Sequence, residues 1–449
     1  MFATIRNAWK IAELRKKLIF TLFILLIFRL GSTIPVPYVD GNMLAAQFNA
    51  QLGGTILGLY NAMSGSAFSQ ATVFALGIQP YINASIIIQL LCVAIPYLER
   101  LQKEGPEGRK KISMYTKYAA ILLAVFQSVM LFINMNNSGN IFADGITDAK
   151  WLACLFVIFS FTAGTAMLTW LGEKITEVGI GNGISVIIFA GIVARAPEAA
   201  KAIWNLLTTD TVVKKLYARI PITIAIILVF LAVIVAVVWM EGGERRLAVQ
   251  YSQRVVGRKL MGGQKSYIPL KVNSSGVLPI IFAMSLLQFP LTIVSFVAAN
   301  SKAAKALTNF NSTWWYLIIY AVLIVAFTFF YNMVYFDPKE YANNLINNGG
   351  QILELRTTNR KATAEYIGRV STRITWFGSI FLAVLAVMPG VLGKICELIP
   401  ALKSVATMNL WFGGTSVLIL VGVALETIRQ LEAQLLMRHY KSGKGGFLS

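Results

Sequence analysis

The sequence predicts an all-α polytopic membrane protein, with ten transmembrane helices in two inverted five-helix halves and a re-entrant helix after the first span. Three observations carry that fold class. The 449 residues are 56% hydrophobic and only 13% charged, with a mean hydropathy of +0.65, whereas ordinary soluble domains carry about 25% charged residues. The charges are gathered into clusters that leave long uncharged blocks between them. The basic residues also divide unequally between the two sides of a ten-span chain. Together these exclude a soluble enzyme, a secreted disulfide scaffold and a disordered chain.

Crossing a hydrocarbon core about 30 Å thick takes about 20 apolar residues as helix. The first block, Leu18–Val39, is broken only by Arg29. It follows a basic N-terminus as a signal peptide would, but it runs to Pro35-Val-Pro37 with no small-x-small cleavage site, so it reads as an uncleaved first span. The next block, 41–98, is long enough for two spans; 118–143, 151–172, 178–194, 220–240, 272–301, 306–336, 374–393 and 404–425 hold one each.

Charge decides how 41–98 is used. With one full span there, the clusters Arg6–Lys17, Arg100–Lys117, Arg245–Lys271, Lys339–Arg373 and the tail after Leu425 share a side. That side, with Lys174, holds 29 Lys and Arg against 10 opposite. The positive-inside tendency therefore favours ten spans with both termini cytoplasmic. The external segment Arg195–Arg219 departs from it with five basic residues. In Gly53–Thr72, eleven of twenty residues are Gly, Ser, Thr, Asn or Gln, poor material for a lipid-facing helix. Non-spanning backbone at membrane depth survives only inside protein or against a water-filled cavity, which suggests a short re-entrant helix; a surface loop or interfacial helix is the alternative.

Ten spans divide into 1–194 (spans 1–5, with the re-entrant stretch at about 53–72), an external hinge loop at 195–219, and 220–428 (spans 6–10). The second half carries cytoplasmic loops at 241–273 and 337–373, and a cytoplasmic tail follows at 429–449. An odd number of spans per half inverts the second against the first, and inverted pairs place their pathway at the shared interface.

The spans offer little chemistry. Arg29 is the sole charge within one, no Asp lies in any, and Glu426 and Glu432 come only where the tenth helix runs into the tail. Arg29 suits a structural arginine that snorkels outward or bonds nearby backbone better than a transport group. Cys92, Cys154 and Cys396 stand far apart without histidine neighbours, and His439, the only histidine, lies in the polar tail, so no metal site and no cofactor are expected. No buried acid–base pair and no Walker loop is present, so the chain reads as no enzyme, and any ATP is spent by a partner.

The spans do offer helix starts. Gly77-Ile-Gln-Pro-Tyr-Ile-Asn-Ala-Ser85 places Pro80 where its missing N–H costs least. Ile78 and Ile82 then share a face. Gly179-Ile-Gly-Asn-Gly-Ile-Ser185 opens the fifth span the same way, with Ile184 and Ile188 on one face. On the cytoplasmic side, alternation through Leu247, Val249 and Tyr251 before Gly262-Gly263 predicts a two-stranded hairpin rich in arginine. It suits phosphate or carboxylate docking, though attraction to anionic lipid accounts for the charge as well. A net charge of +20 implies an anionic partner.

Longer ordered segments carry a resemblance. Phe28-Arg-Leu-Gly-Ser-Thr-Ile-Pro-Val-Pro37, Phe74–Leu91, Lys103-Glu-Gly-Pro-Glu-Gly-Arg-Lys-Lys-Ile-Ser113, Gly179–Ser185, Leu270-Lys-Val-Asn273, Gly276-Val-Leu-Pro279 and Gly413-Gly-Thr-Ser416 resemble the SecY family, the pore-forming subunits of the bacterial Sec protein translocase. The resemblance implies a passive channel for unfolded polypeptides in the bacterial inner membrane. Six apolar side chains close its waist: Ile78, Ile82, Ile184, Ile188, Ile281 and Ile419. It makes the re-entrant stretch a plug, with Gly53, Gly54, Gly58, Asn61, Gly65 and Ser69, and puts a lateral gate between spans two and three and spans seven and eight, with Asn83, Gln89, Ser285 and Gln288 facing it. It implies SecE and SecG as membrane partners, and nascent polypeptides with their signal sequences as cargo beside the membrane lipids. The ribosome, through its RNA and proteins, or the SecA motor would dock on Arg245, Arg246, Arg254, Arg258, Lys259 and Arg356. Around Arg356 this chain reads Leu353-Glu-Leu-Arg-Thr-Thr-Asn359, where the family commonly has Pro-Gly on both sides. An inverted-repeat secondary transporter is the competing class, and it needs ionisable midplane residues that this sequence lacks.

Overall fold

The computed structural model describes residues 2–41, 44, 61, 64–137, 150–208, 216–251, 254–256, 259–261, 265–297, 310, 313–355, 359–398 and 414–444. In chain order the helices are α1 (Phe2–Lys10), α2 (Ala12–Gly31), α3 (Gln79–Ala94), α4 (Pro96–Lys103), α5 (Pro106–Asn137), α6 (Lys150–Val178) and α7 (Gly183–Ala194). They continue as α8 (Ala196–Thr208), α9 (Leu216–Gly242), α10 (Leu278–Val297), α11 (Trp314–Tyr335), α12 (Pro338–Asn347), α13 (Arg360–Leu398) and α14 (Gly414–Lys444). Each of the ten uncharged blocks contains a described helix.

Among the described residues, Pro106–Ile133, Trp151–Val178, Ile220–Gly242, Trp314–Asn347 and Arg360–Ile395 are each long and apolar enough to cross a bilayer, and α3 with α4, bent by 101°, makes a sixth. The ten-span count is consistent with this set. Isoleucine and valine fill Ile220–Val238, residues of modest helix propensity. In lipid, however, only a helix satisfies every backbone group within its own segment.

Helix starts follow local rules. Asn182 caps α7, its side-chain oxygen accepting from the amides of Ile184 at 3.2 Å and Ser185 at 3.5 Å. Proline occupies the first turns of α3, α4 and α12. The 195–219 stretch, expected as a loop, begins as α8, because Ala196-Pro-Glu-Ala-Ala-Lys-Ala is rich in helix formers. In the re-entrant stretch Asn61 is helical and Ser64–Ala71 form turns before the Thr72 bridge to Pro35, while Gly53, Gly54 and Gly58 lie outside the described residues.

The arginine-rich hairpin is larger than expected. Strand β1 (Glu244–Tyr251) is followed by β2 (Arg254–Val256), β3 (Lys259–Met261) and β4 (Lys265–Lys271). β1 pairs antiparallel with β4 from Glu244↔Lys271 to Gln250↔Lys265, and β2 pairs with β3 nearer the tip. A third strand, β5 (Gly350–Ile352), arrives from the segment between α12 and α13 and pairs with β1 through Val249↔Ile352 and Tyr251↔Gly350. Leu247, Val249, Leu270 and Ile352 face inward and pack with Leu345 of α12 and Ile367 of α13, so the two basic segments fold as one unit.

Two large apolar clusters lie among the long helices. One draws on α2, α3, α6, α7, α10, α11 and α14; the other is confined to α9, α10, α11, α13 and α14. Close backbone approach holds α7 against α6, since a Cβ on Gly183 would sit 1.8 Å from the Gly172 carbonyl oxygen. Gly183→Ala is therefore expected to lower stability by about 1–3 kcal/mol through overpacking. Gly242→Ala, where a Cβ meets nothing within 4 Å, should change it little. Thermal midpoints of the two purified variants in detergent check this.

Candidate functional site

The first apolar cluster brings the six isoleucines together. Ile78, Ile82, Ile188 and Ile419 are 3–8% exposed within it, and Ile184 and Ile281 pack against it half-buried. They come from four helices, because Ile78 and Ile82 begin α3, Ile184 and Ile188 begin α7, Ile281 opens α10 and Ile419 lies in the first turns of α14. Gly77, at φ +57°, turns the chain into α3. Gly181, at φ +87°, does so before α7 and sits against Thr427 of α14. Aliphatic side chains offer no hydrogen bonds, so the junction can exclude water without holding any particular polar ligand.

Of the described plug candidates, Gly65 contacts Arg29 near the C-terminal end of α2. Asn61 is buried, and its side-chain oxygen accepts from the Ser69 amide at 2.9 Å. Its carbonyl oxygen accepts from the Ser66 amide at 2.8 Å and from the Ser64 hydroxyl at 3.1 Å. Gly65 adopts φ +67°, and its carbonyl oxygen accepts from Arg29 at 3.1 Å. Arg29 thus serves the backbone of the re-entrant stretch.

The gate candidates divide. Gln89 of α3 accepts from the Tyr331 hydroxyl of α11 at 2.8 Å, while its own amide donates to the Ser85 hydroxyl at 3.2 Å. Asn83 Oδ1 and Ser285 Oγ are buried without a hydrogen-bond partner among the described residues. The Gln288 side chain lies outside those residues. Tyr331 was not singled out from sequence, where it is one aromatic among many in an apolar run. Only its long-range partner, Gln89, sets it apart.

On the three-stranded sheet, Arg245 and Arg246 are exposed on β1. Arg246 pairs with Glu244 at 2.7 Å and lies 4.7 Å over the ring of Tyr267 on β4. Glu244 raises its already high pKa further, keeping the guanidinium charged. Arg254 and Lys259 belong to β2 and β3, but their side chains, like all of Arg258 and Arg356, lie outside the described residues. Among the described residues, no group of three or more His, Cys, Asp or Glu side chains could hold a metal ion.

These features define a multi-pass helical membrane protein whose helices converge on an uncharged apolar junction and which carries a small basic sheet. The SecY family model matches residues 72–428. The protein translocase subunit SecY of Halalkalibacterium halodurans is 41% identical over 446 residues, 98% of this chain and 99% of that one. A solved SecY protein, described as having a plug domain that stabilises the closed state of the translocation channel and maintains a membrane seal, superposes with TM-score 0.58. It is 21% identical and covers 93% of this chain and 91% of its own. Sec61 in the canine ribosome–channel complex gives TM-score 0.51 at 19% identity, over 93% of this chain and 91% of its own.

The chain belongs to the SecY family of protein translocase subunits. Its structural relatives are protein-conducting channels and not secondary transporters.

The Arg29 contact yields a prediction. A charge-assisted hydrogen bond contributes about 1.5–3 kcal/mol. Arg29→Ala should therefore raise amide hydrogen exchange across Ser64–Ser69 at least about tenfold, read by mass spectrometry of the protein in detergent. Unchanged exchange would mean that the arginine does not hold this stretch.

Proposed function

We propose that this chain is the central channel subunit of a bacterial Sec translocase, passing unfolded polypeptides across the inner membrane and, through a lateral gate, into it. The observation that carries the reading is the meeting of isoleucines from α3, α7, α10 and α14 in one cluster. A narrow apolar ring dewets when empty and so blocks ions. It also grips no particular side chain, so chains of any sequence slide through once it is parted.

The six isoleucines form that ring, and the re-entrant stretch from Gly53 to Ser69 is the plug below it, whose small residues let it leave its seat at little cost. Halves 1–194 and 220–428 hinge on 195–219. Both termini lie in the cytoplasm, as the asymmetry of basic charge supports. Signal sequences are apolar helices that leave between α3 and α5 on one side and α10 and α11 on the other, because lipid is the better solvent for them. Asn83, Gln89, Ser285 and Gln288 face that exit.

SecE and SecG are the membrane partners. The chain supplies a path and no catalysis. Drive comes from a ribosome or a SecA motor docked on the sheet of β1, β4 and β5, using Arg245, Arg246, Arg254, Arg258, Lys259 and Arg356. The exposure of Arg245 and Arg246 supports this assignment, as does the fusion of the two cytoplasmic segments into one sheet.

Two outcomes follow. Ile82→Gly and Ile188→Gly should each raise the ion conductance of vesicles holding the translocase several-fold, since the ring loses a side chain where water is excluded. Unchanged conductance in both removes these residues from the ring. Arg245→Glu should weaken ribosome or motor binding about tenfold at low salt and less at high salt, with membrane insertion of the protein itself intact. Undiminished binding would leave anionic lipid as the reason for the charge.

A further inference from the structure

The segment 195–219 carries five basic residues against two acidic ones, on the side of the bilayer where basic charge is expected to be scarce. A hinge has no need of that charge. Its helix, α8, packs against α9 and touches the re-entrant stretch through Glu198, which accepts from the Ser66 hydroxyl at 3.4 Å and pairs with Arg195 at 3.1 Å. Glu198 is thus engaged within the protein. Lys201, one turn further on, is exposed, as is Ala200 beside it. Trp204 follows one turn later and is 66% exposed, so these three side chains form one strip on the open side of the helix. A lysine and a bare indole at helical spacing suit a helix at a membrane surface, where the ring and the ammonium group are both served.

The isoleucines fix the depth. Ala194, the last residue of α7, lies six residues beyond Ile188 and ten beyond Ile184, or about 9–15 Å along the helix axis at about 1.5 Å per residue. With those isoleucines at mid-membrane, α8 begins where a core about 30 Å thick gives way to headgroups. We propose that α8 is a docking surface for the anionic lipid headgroups of the outer leaflet, with the Trp204 ring at the edge of the hydrocarbon and Lys201 against the phosphates. Charge selects this occupant, since five basic residues less two acidic ones leave the segment a net charge of +3. Size excludes a protein partner seated on α8 alone. Its 13 residues cover about 20 Å by about 10 Å, about a quarter of the roughly 800 Å² that each side of a stable protein interface contributes. Because Glu198 joins this helix to Ser66, lipid bound along it steadies the hinge and the re-entrant stretch together. The inference rests on the channel reading for the depth of the isoleucines and for the side that 195–219 faces.

The test uses the complete translocase in vesicles of phosphatidylglycerol and phosphatidylcholine in equal parts, with a photo-reactive amino acid in place of Ala200. Lipid adducts are expected, with phosphatidylglycerol captured about fivefold over phosphatidylcholine, the scale of one basic residue at an anionic surface. Lys201→Gln, a change at an exposed position, should bring that ratio close to one. Trp204→Ala should lower capture of both lipids severalfold, because the ring sets depth and not charge preference. A ratio near one in the parent protein would overturn the proposal, as would a ratio unmoved by Lys201→Gln or capture unmoved by Trp204→Ala. So would a polypeptide adduct in place of lipid, which assigns the surface to a partner subunit. The channel reading fails on a different result, namely unchanged ion conductance in both isoleucine variants.

Discussion

One constraint shapes the long helices of this structure: inside the bilayer a backbone polar group must find its partner within the protein. The long uncharged helices obey it by bonding their own backbones. Residues that cannot obey it locally are tied to something distant, as Arg29 is to the Gly65 carbonyl oxygen and Tyr331 to Gln89. Where helices from both ends of the chain converge, the sequence avoids the problem by supplying isoleucine, which has nothing to satisfy. That junction can close dry and reopen without breaking any hydrogen bond of its own.

Outside the bilayer the same chain follows the opposite rule. The segments 244–271 and 350–352 carry their charge outward on a small sheet whose inner side, Leu247, Val249, Leu270 and Ile352, packs on α12 and α13. α13 continues from that packing into a stretch long and apolar enough to cross a membrane, so the sheet is built onto the end of that helix. α14 reaches the other end of the chain as well, since Leu431 and Leu435 pack on Ala8, Leu14 and Ile180, and Thr4 donates to Glu432 at 3.0 Å.

Much of this was legible in the sequence because lipid leaves few options. Each uncharged block contains a described helix, and the starts of α3 and α7 were marked by Gly77 with Pro80 and by Gly179-Ile-Gly-Asn-Gly-Ile-Ser185. Ile281 and Ile419 carried no signal of their own and came only with the family resemblance. β5 was invisible because Gly350-Gln-Ile352 takes its strand geometry from the free edge of β1 and has no periodicity to read. The helix at Ala196–Thr208 was hidden by its charge, which made the segment look like a loop. The partners of Arg29 and Gln89 could not be found either, since 36 and 242 residues separate the bonded pairs.

The central claim is that side chains from four helices surround one path. A secretory chain stalled in the intact translocase, with a photo-reactive amino acid substituted in turn for Ile82, Ile188, Ile281 and Ile419, tests it most directly. The account predicts that the same short stretch of the stalled chain is captured from all four positions. Capture of lipid from any of them, with no polypeptide adduct, would contradict it.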